Sequence, residues 1–153
     1  MTRLHVAVPV RWSDLDAYQH VNNARMLTLL EEARIAAFWN DPESDAPTAL
    51  LETGPGSSSI TLVAAQRVEY LAPIPFHRDP LDVELWIGRL GGASIEVCYE
   101  IFSPDNHESR TLYTRAATTL VLVDQQTAAP RRLSDTERAA WQPYVEAPLV
   151  FRQ

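Results

Sequence analysis

Ala24-Arg25-Met26-Leu27-Thr28-Leu29-Leu30-Glu31-Glu32-Ala33-Arg34-Ile35-Ala36-Ala37-Phe38-Trp39 is the stretch that decides the fold. Met26, Leu30, Ala33 and Ala37 recur at helical spacing and form one stripe. Leu27, Leu29, Ile35 and Phe38 widen it. Arg25, Thr28, Glu31, Glu32 and Arg34 are left as a narrow polar face. A helix that is apolar around most of its girth must be buried on several sides. Asn22 and Asn23, just before it, are good N-cap residues.

The sequence on either side supplies walls for that helix. Leu4, Val6, Val8, Val10 and Trp12 alternate with His5, Ala7, Pro9 and Arg11, which is the period of a strand with one buried face. Pro9 cannot donate to a ladder, so this strand needs a free or irregular side. After the helix, residues 40–59 are rich in Pro, Gly, Ser and acids and read as a long connection, with a short helical turn near Ala49 to Glu52. Strands are expected over Ile60 to Leu71, Leu81 to Arg89, Ser94 to Phe102 and Arg110 to Val123. Gly91-Gly92 and Ser103-Pro104-Asp105-Asn106 are the turns between the last three. Ser134-Asp135-Thr136-Glu137 has the form of a capping box, with a short helix over Glu137 to Trp141. Strand, helix, then four strands is an α+β order, and a curved antiparallel sheet wrapped around the helix hides its apolar girth. No second-domain boundary is visible, so residues 1–153 form a single domain, and the partly apolar sheet favours self-association.

Composition excludes several roles. A net charge of −7 opposes nonspecific binding to nucleic acid and adhesion to anionic membranes. No run approaches the ~20 apolar residues that span a bilayer, and no signal peptide is visible, so a cytoplasmic location is expected. All thirteen basic residues are arginine. The one cysteine, Cys98, lies in a strand pattern and reads as a small buried residue rather than a nucleophile. Four scattered histidines and one cysteine form no metal constellation, and no cofactor is expected.

The segment Asp14-Leu15-Asp16-Ala17-Tyr18-Gln19-His20-Val21-Asn22-Asn23 joins the first strand to the helix. A helix N-terminus presents free N–H groups and a positive dipole end, which stabilise an oxyanion. A carboxylate beside a polarised carbonyl acts as general base or nucleophile. Base and oxyanion donor together are what hydrolytic acyl transfer requires. Loops before helices are also rich in Asp and Asn simply because these residues cap and turn.

Asp14-Leu15-Asp16, His20-Val21-Asn22-Asn23-Ala24-Arg25 and Glu31-Glu32-Ala33-Arg34 resemble the 4-hydroxybenzoyl-CoA thioesterase-like family of hotdog proteins. Val68-Glu69-Tyr70-Leu71-Ala72-Pro73 is similar to a second, weaker motif of the same branch. The resemblance implies an acyl-CoA thioesterase and a sheet wrapped around a central helix. It implies homodimers or homotetramers with sites between subunits. It assigns catalysis to Asp16 and carbonyl polarisation to the backbone N–H of Asn23. CoA then enters as part of the substrate. The signature's Gly before His is Gln19 here, at a place where Gly would permit an unusual backbone angle.

His20 is a further catalytic candidate, placed to orient Asp16 or water. Val21 and Asn22 are candidate substrate contacts, Asn22 being also a cap. Glu69, near a strand end, is a candidate for the pocket. Arg89, with Arg131 and Arg132, is a candidate for CoA phosphates. Asp14 reads as a residue that holds the loop, and Glu31 with Arg34 as an i,i+3 ion pair. Two rival functions share the fold: a non-catalytic acyl-CoA binding or scaffold protein, and an enoyl-thioester hydratase or dehydratase.

Overall fold

The computed structural model describes residues 2–52, 56–105 and 109–152. The apolar helix is α1, Asn23–Phe38, and five strands curve around it: β1 Leu4–Val8, β2 Ser59–Tyr70, β3 Leu81–Leu90, β4 Ser94–Phe102 and β5 Leu112–Asp124. All neighbours are antiparallel, in the order β1-β3-β4-β5-β2. A second helix, α2, covers Asp135–Trp141, and its N-terminus carries the expected capping box of Ser134 and Glu137.

Alternation sets which side chains meet α1. Leu81, Val83, Leu85 and Ile87 of β3 join Ile95, Val97, Tyr99 and Ile101 of β4 in the core with Met26, Leu30, Ala33 and Phe38. The other side of β3 carries Asp82, Glu84 and Trp86, and Trp86 is also fully buried. The C-terminal segment 145–152 runs across this outer face. Ala147 accepts a hydrogen bond from Trp86 Nε1 at 3.1 Å. Arg3 stacks over the Trp86 ring and binds Glu84, Glu100 and Glu146. Cys98 is sealed beneath the same segment, and burial pushes its thiol up to about 11, which suits the packing role expected of it.

Three expectations need correction. Trp12 is not a strand residue; β1 stops before Pro9, and Trp12 opens a 3-10 turn with its ring 69% exposed. Ala49 to Glu52 forms no helical turn, because Leu51 instead bridges Trp39. Arg34, assigned to the polar face of α1, is 7% exposed and points into the core. Asn106, in the second expected turn, lies outside the described residues.

β2 is an edge strand. Among the described residues it pairs only with β5, and Ile60, Leu62 and Val63 stand exposed along it. No helix among the described residues is long and apolar enough to cross a membrane.

Candidate active site

The site is built on the chain between β1 and α1. The 3-10 turn Trp12–Asp14 follows Pro9, and it turns the Asp14 side chain inward to 1% exposure. There Asp14 accepts from the Arg11 amide at 2.8 Å and from Arg11 Nη2 at 3.0 Å. Burial alone would raise this carboxyl, but the Arg11 bonds outweigh it and hold it below the usual carboxylate range. The Asp14 carbonyl in turn accepts from the Asn22 amide, pinning the loop to the start of the helix.

Between these anchors lies a small hairpin. Leu15 pairs with Val21, and Asp16 N–H donates to His20 O at 2.9 Å. Gln19 N–H closes the turn on Asp16 O at 3.0 Å. Gln19 has φ 63°, the left-handed region that the family's glycine would occupy without strain. A three-residue hairpin loop ends on such a residue. Substituting Gln therefore did not change the turn; it placed a strained residue in it.

The turn fixes half of the Asp16 carboxylate. Oδ1 accepts from the Tyr18 amide at 2.8 Å and from the His20 amide at 3.4 Å. Oδ2 has no partner among the described residues and stays open to a substrate or water. The hairpin then leads directly into α1. Asn22 caps it by accepting from the Ala24 amide at 2.8 Å. That spends the Asn22 side-chain oxygen on the helix and leaves the Asn23 N–H, one of the helix's orphan donors, unpartnered among the described residues. Tyr70, at the end of β2, donates its hydroxyl to the Asn23 carbonyl at 3.1 Å. A hollow of about 280 Å³ opens beside this contact, lined by Val21, Met26, Tyr70, Leu71, Pro73 and Ile74.

Asp16, His20, Val21, Asn22 and Asn23 therefore come together. The His20 backbone is held by Asp16 and by bridging to Pro75, while its ring is free of hydrogen bonds among the described residues. Glu69 is not brought in. Its neighbours Val68 and Tyr70 face α1, so Glu69 faces outward, where it meets Arg115 and Arg152. Arg89 is also apart. It lies near the far end of β3, about 25 Å by strand rise from Leu81, the residue paired to Val8 at the loop's origin. Arg131 is held by Glu137 in a two-point ion pair, which leaves it a structural role.

Two further features bear on the chemistry. His5, Asp82 and Glu84 place ligand atoms within 4.8 Å of one another, a grouping the sequence reading did not find. Arg110 already supplies their cation, at 2.7 Å from Asp82 and 2.5 Å from Glu84. A hollow of about 630 Å³ adjoins this group and is lined by His5, Asp79, Asp82 and Asp105. So acidic a lining repels a polyanion, so its size does not make it the site.

A five-stranded sheet around one helix, with a carboxylate turn at that helix's start, is the hotdog fold of a thioester hydrolase. The chain belongs to the thioesterase-like superfamily, whose family model matches residues 10–149. Among solved structures, it is similar to the PA2801 protein of Pseudomonas aeruginosa, described as a candidate thioesterase, at 30% identity and TM-score 0.73, over 91% of this chain and 98% of that one. It is also similar to YbaW of Escherichia coli, likewise a candidate thioesterase, at 26% identity and TM-score 0.67, over 95% of this chain and all of that one. A third similar structure is a thioesterase of Thermus thermophilus complexed with coenzyme A and Zn, at 26% identity and TM-score 0.66, covering 92% of each chain. No curated protein matches the sequence.

Proposed function

We propose that this thioesterase hydrolyses acyl-CoA to a free acid and CoA, with Asp16 as its catalytic carboxylate. The observation that carries the reading is the pairing of a half-tethered Asp16 with the unpartnered amide of Asn23 on one short hairpin-to-helix segment. In this reading the thioester oxygen accepts from Asn23 N–H, and the helix dipole favours the charge that develops on it. Asp16 Oδ2 either takes a proton from water as the water oxygen attacks the carbonyl carbon, or attacks that carbon itself. In the first route the C–S bond then breaks and CoA leaves as the thiol, taking up that proton; in the second CoA leaves as the thiolate and is protonated from the water that follows. In the second route water afterwards cleaves the acyl-Asp16 anhydride.

Supporting roles follow from position. The free ring of His20 contacts the attacking water or the thioester, and Val21 and Asn22 form the near wall. The acyl group runs along the side of α1 that faces β2, where Tyr70 marks its start. Partly exposed Leu27 borders the same side. A second copy pairing along β2 would cover Ile60, Leu62 and Val63 and complete the wall, so the working form is a homodimer or a pair of dimers in the cytoplasm.

The test is thiol release from aliphatic and aromatic acyl-CoAs, with Asp16→Ala beside the wild type and both sized by light scattering. Asp16→Ala should lose about a hundredfold or more in kcat while remaining folded. Full activity in the variant would remove Asp16 from the chemistry. Tight acyl-CoA binding without thiol release would favour the scaffold protein, and conversion of an enoyl thioester without thiol release the hydratase. A monomer at working concentration would refute the β2 pairing.

A further inference from the structure

A hollow of about 440 Å³ lies between β1 and α1. It shares no lining residue with the hollow beside Tyr70. β1 and β2 are the two ends of the sheet order, so a copy seated along β2 leaves this hollow open. Its volume falls in the range of small-molecule sites, about 300–1,000 Å³. Val8 and Leu29, both buried, line its depth, while Pro9 and Ala36 are exposed at its sides.

Three polar side chains complete the lining: Arg11, Thr28 and Glu32. Thr28, Glu32 and Ala36 are spaced four apart and share one line along α1. Arg11 comes from the opposite wall, just past β1. Its Nη2 donates to Asp14 at 3.0 Å, but its other guanidinium donors have no partner among the described residues. Its side chain is 61% exposed. Glu32 holds no hydrogen bond or ion pair among the described residues. A cation and an anion thus line one largely apolar hollow without closing on each other.

That arrangement selects among small ligands. A plain carboxylate would satisfy Arg11 but stand beside Glu32 as a like charge. A plain amine would reverse the fault. A ligand with both charges on neighbouring atoms and an apolar branch beside them matches every wall.

We infer that the β1–α1 hollow binds a small zwitterion, an α-amino acid with an apolar side chain. The free donors of Arg11 take its carboxylate, Glu32 and the Thr28 hydroxyl take its ammonium, and Val8 and Leu29 receive its side chain. Arg11 is also the residue that holds Asp14 at the origin of the Asp16 turn. A ligand carboxylate on the guanidinium competes with Asp14 for it, so occupancy loosens the turn and lowers kcat. The binding stands apart from the acyl-CoA reading; the loss of kcat rests on it.

The experiment titrates the full chain by calorimetry with both hands of leucine. Beside them go 4-methylpentanoate and 3-methylbutylamine, each of which keeps leucine's branched chain and one of its charges. One hand of leucine should bind about tenfold or more tighter than either one-charge compound, the span of a charge-assisted hydrogen bond. It should also bind several-fold tighter than the other hand, because three points of contact fix the hand. Glu32→Gln should bring leucine down to the level of 4-methylpentanoate. Ala36→Leu changes an exposed helix position and fills the hollow, so it should abolish binding and leave kcat without leucine at the wild-type value. Saturating leucine should lower thiol release several-fold in the wild type and leave Ala36→Leu unaffected. Leucine bound no better than 4-methylpentanoate would overturn the zwitterion, and binding that survives Ala36→Leu would overturn the site. Unchanged kcat at saturation would overturn the coupling to the turn. No binding of either hand sinks the inference whole, whereas calorimetry, which needs no turnover, still decides the site should acyl-CoA hydrolysis fail.

Discussion

The Tyr70 hydroxyl donates to the Asn23 carbonyl at 3.1 Å, so the end of the edge strand grips the first residue of the central helix. Asn23 also carries the amide proposed to meet the thioester, and a peptide unit held at its carbonyl side holds its neighbour's orientation. Partial burial raises the Tyr70 hydroxyl above its ordinary value, so it remains a donor throughout the neutral range. We expect Tyr70→Phe to cost about 0.5–1 kcal/mol in urea unfolding and to lower kcat several-fold with little change in KM. Wild-type kcat in the variant would mean that the helix start needs no such anchor.

Gln19 at φ 63° is a non-glycine residue in the left-handed region, beside the proposed catalytic carboxylate. Such a conformation costs about 1–2 kcal/mol for a residue with a Cβ. Glycine removes that cost but loses more chain entropy on folding, about 0.5–1 kcal/mol. Gln19→Gly should therefore raise stability by up to about 1 kcal/mol, with kcat retained because the Asp16 turn is unchanged. A clear loss of stability in thermal melts would show that the Gln19 side chain makes a contact that outweighs the strain.

Local signals made the helix, the strands and the turn from Asp14 to Asn23 legible in the sequence. The apolar girth of Ala24 to Trp39 and the alternation of Leu81 to Ile87 placed α1 and β3 within a residue or so of their ends. The motif from Asp14 to Asn23 marked the loop that the fold brings together. What escaped was long-range. Trp86 gave no sign of being roofed, because segment 145–152 has no periodicity and its partners are distant in the chain. Arg34 looked solvated because helical spacing alone cannot reveal Tyr99 waiting beneath it. Glu69 was set beside the pocket by its nearness to Tyr70, although adjacent strand residues face opposite ways.

Asp14 ties the loop to Arg11, and its ionised form is the one the fold binds. A carboxyl held below its unfolded value adds stability that is present above the unfolded value, about pH 4, and is lost as pH falls through the lower folded value. Asp14→Asn should accordingly be less stable than wild type at pH 7, by about 1–3 kcal/mol for a buried charge-assisted pair. That gap should shrink as the pH drops below about 4. Urea titrations at several pH values read both effects. A gap independent of pH would mean that Asp14 acts through its shape and not its charge.

Gly88 sits at the break in the β3–β4 register, directly under the C-terminal segment. A Cβ there would stand 2.8 Å from Glu96 Oε1, 2.9 Å from Cys98 Sγ and 3.0 Å from Pro148 Cβ. Glu96 could swing aside, but the Cys98 thiol is enclosed and Pro148 is rigid. The easier response is for the segment to lift, exposing Trp86 and its bond to Ala147. We expect Gly88→Ala to cost about 1–3 kcal/mol, the range for overpacking a filled site. Because the break lies on the face away from α1 and far from Asp16, kcat at low temperature should stay near that of the wild type. Trp86 fluorescence should shift toward that of a hydrated indole as the segment lifts. A stable variant with unchanged fluorescence would show that the segment packs on the sheet more loosely than these distances require.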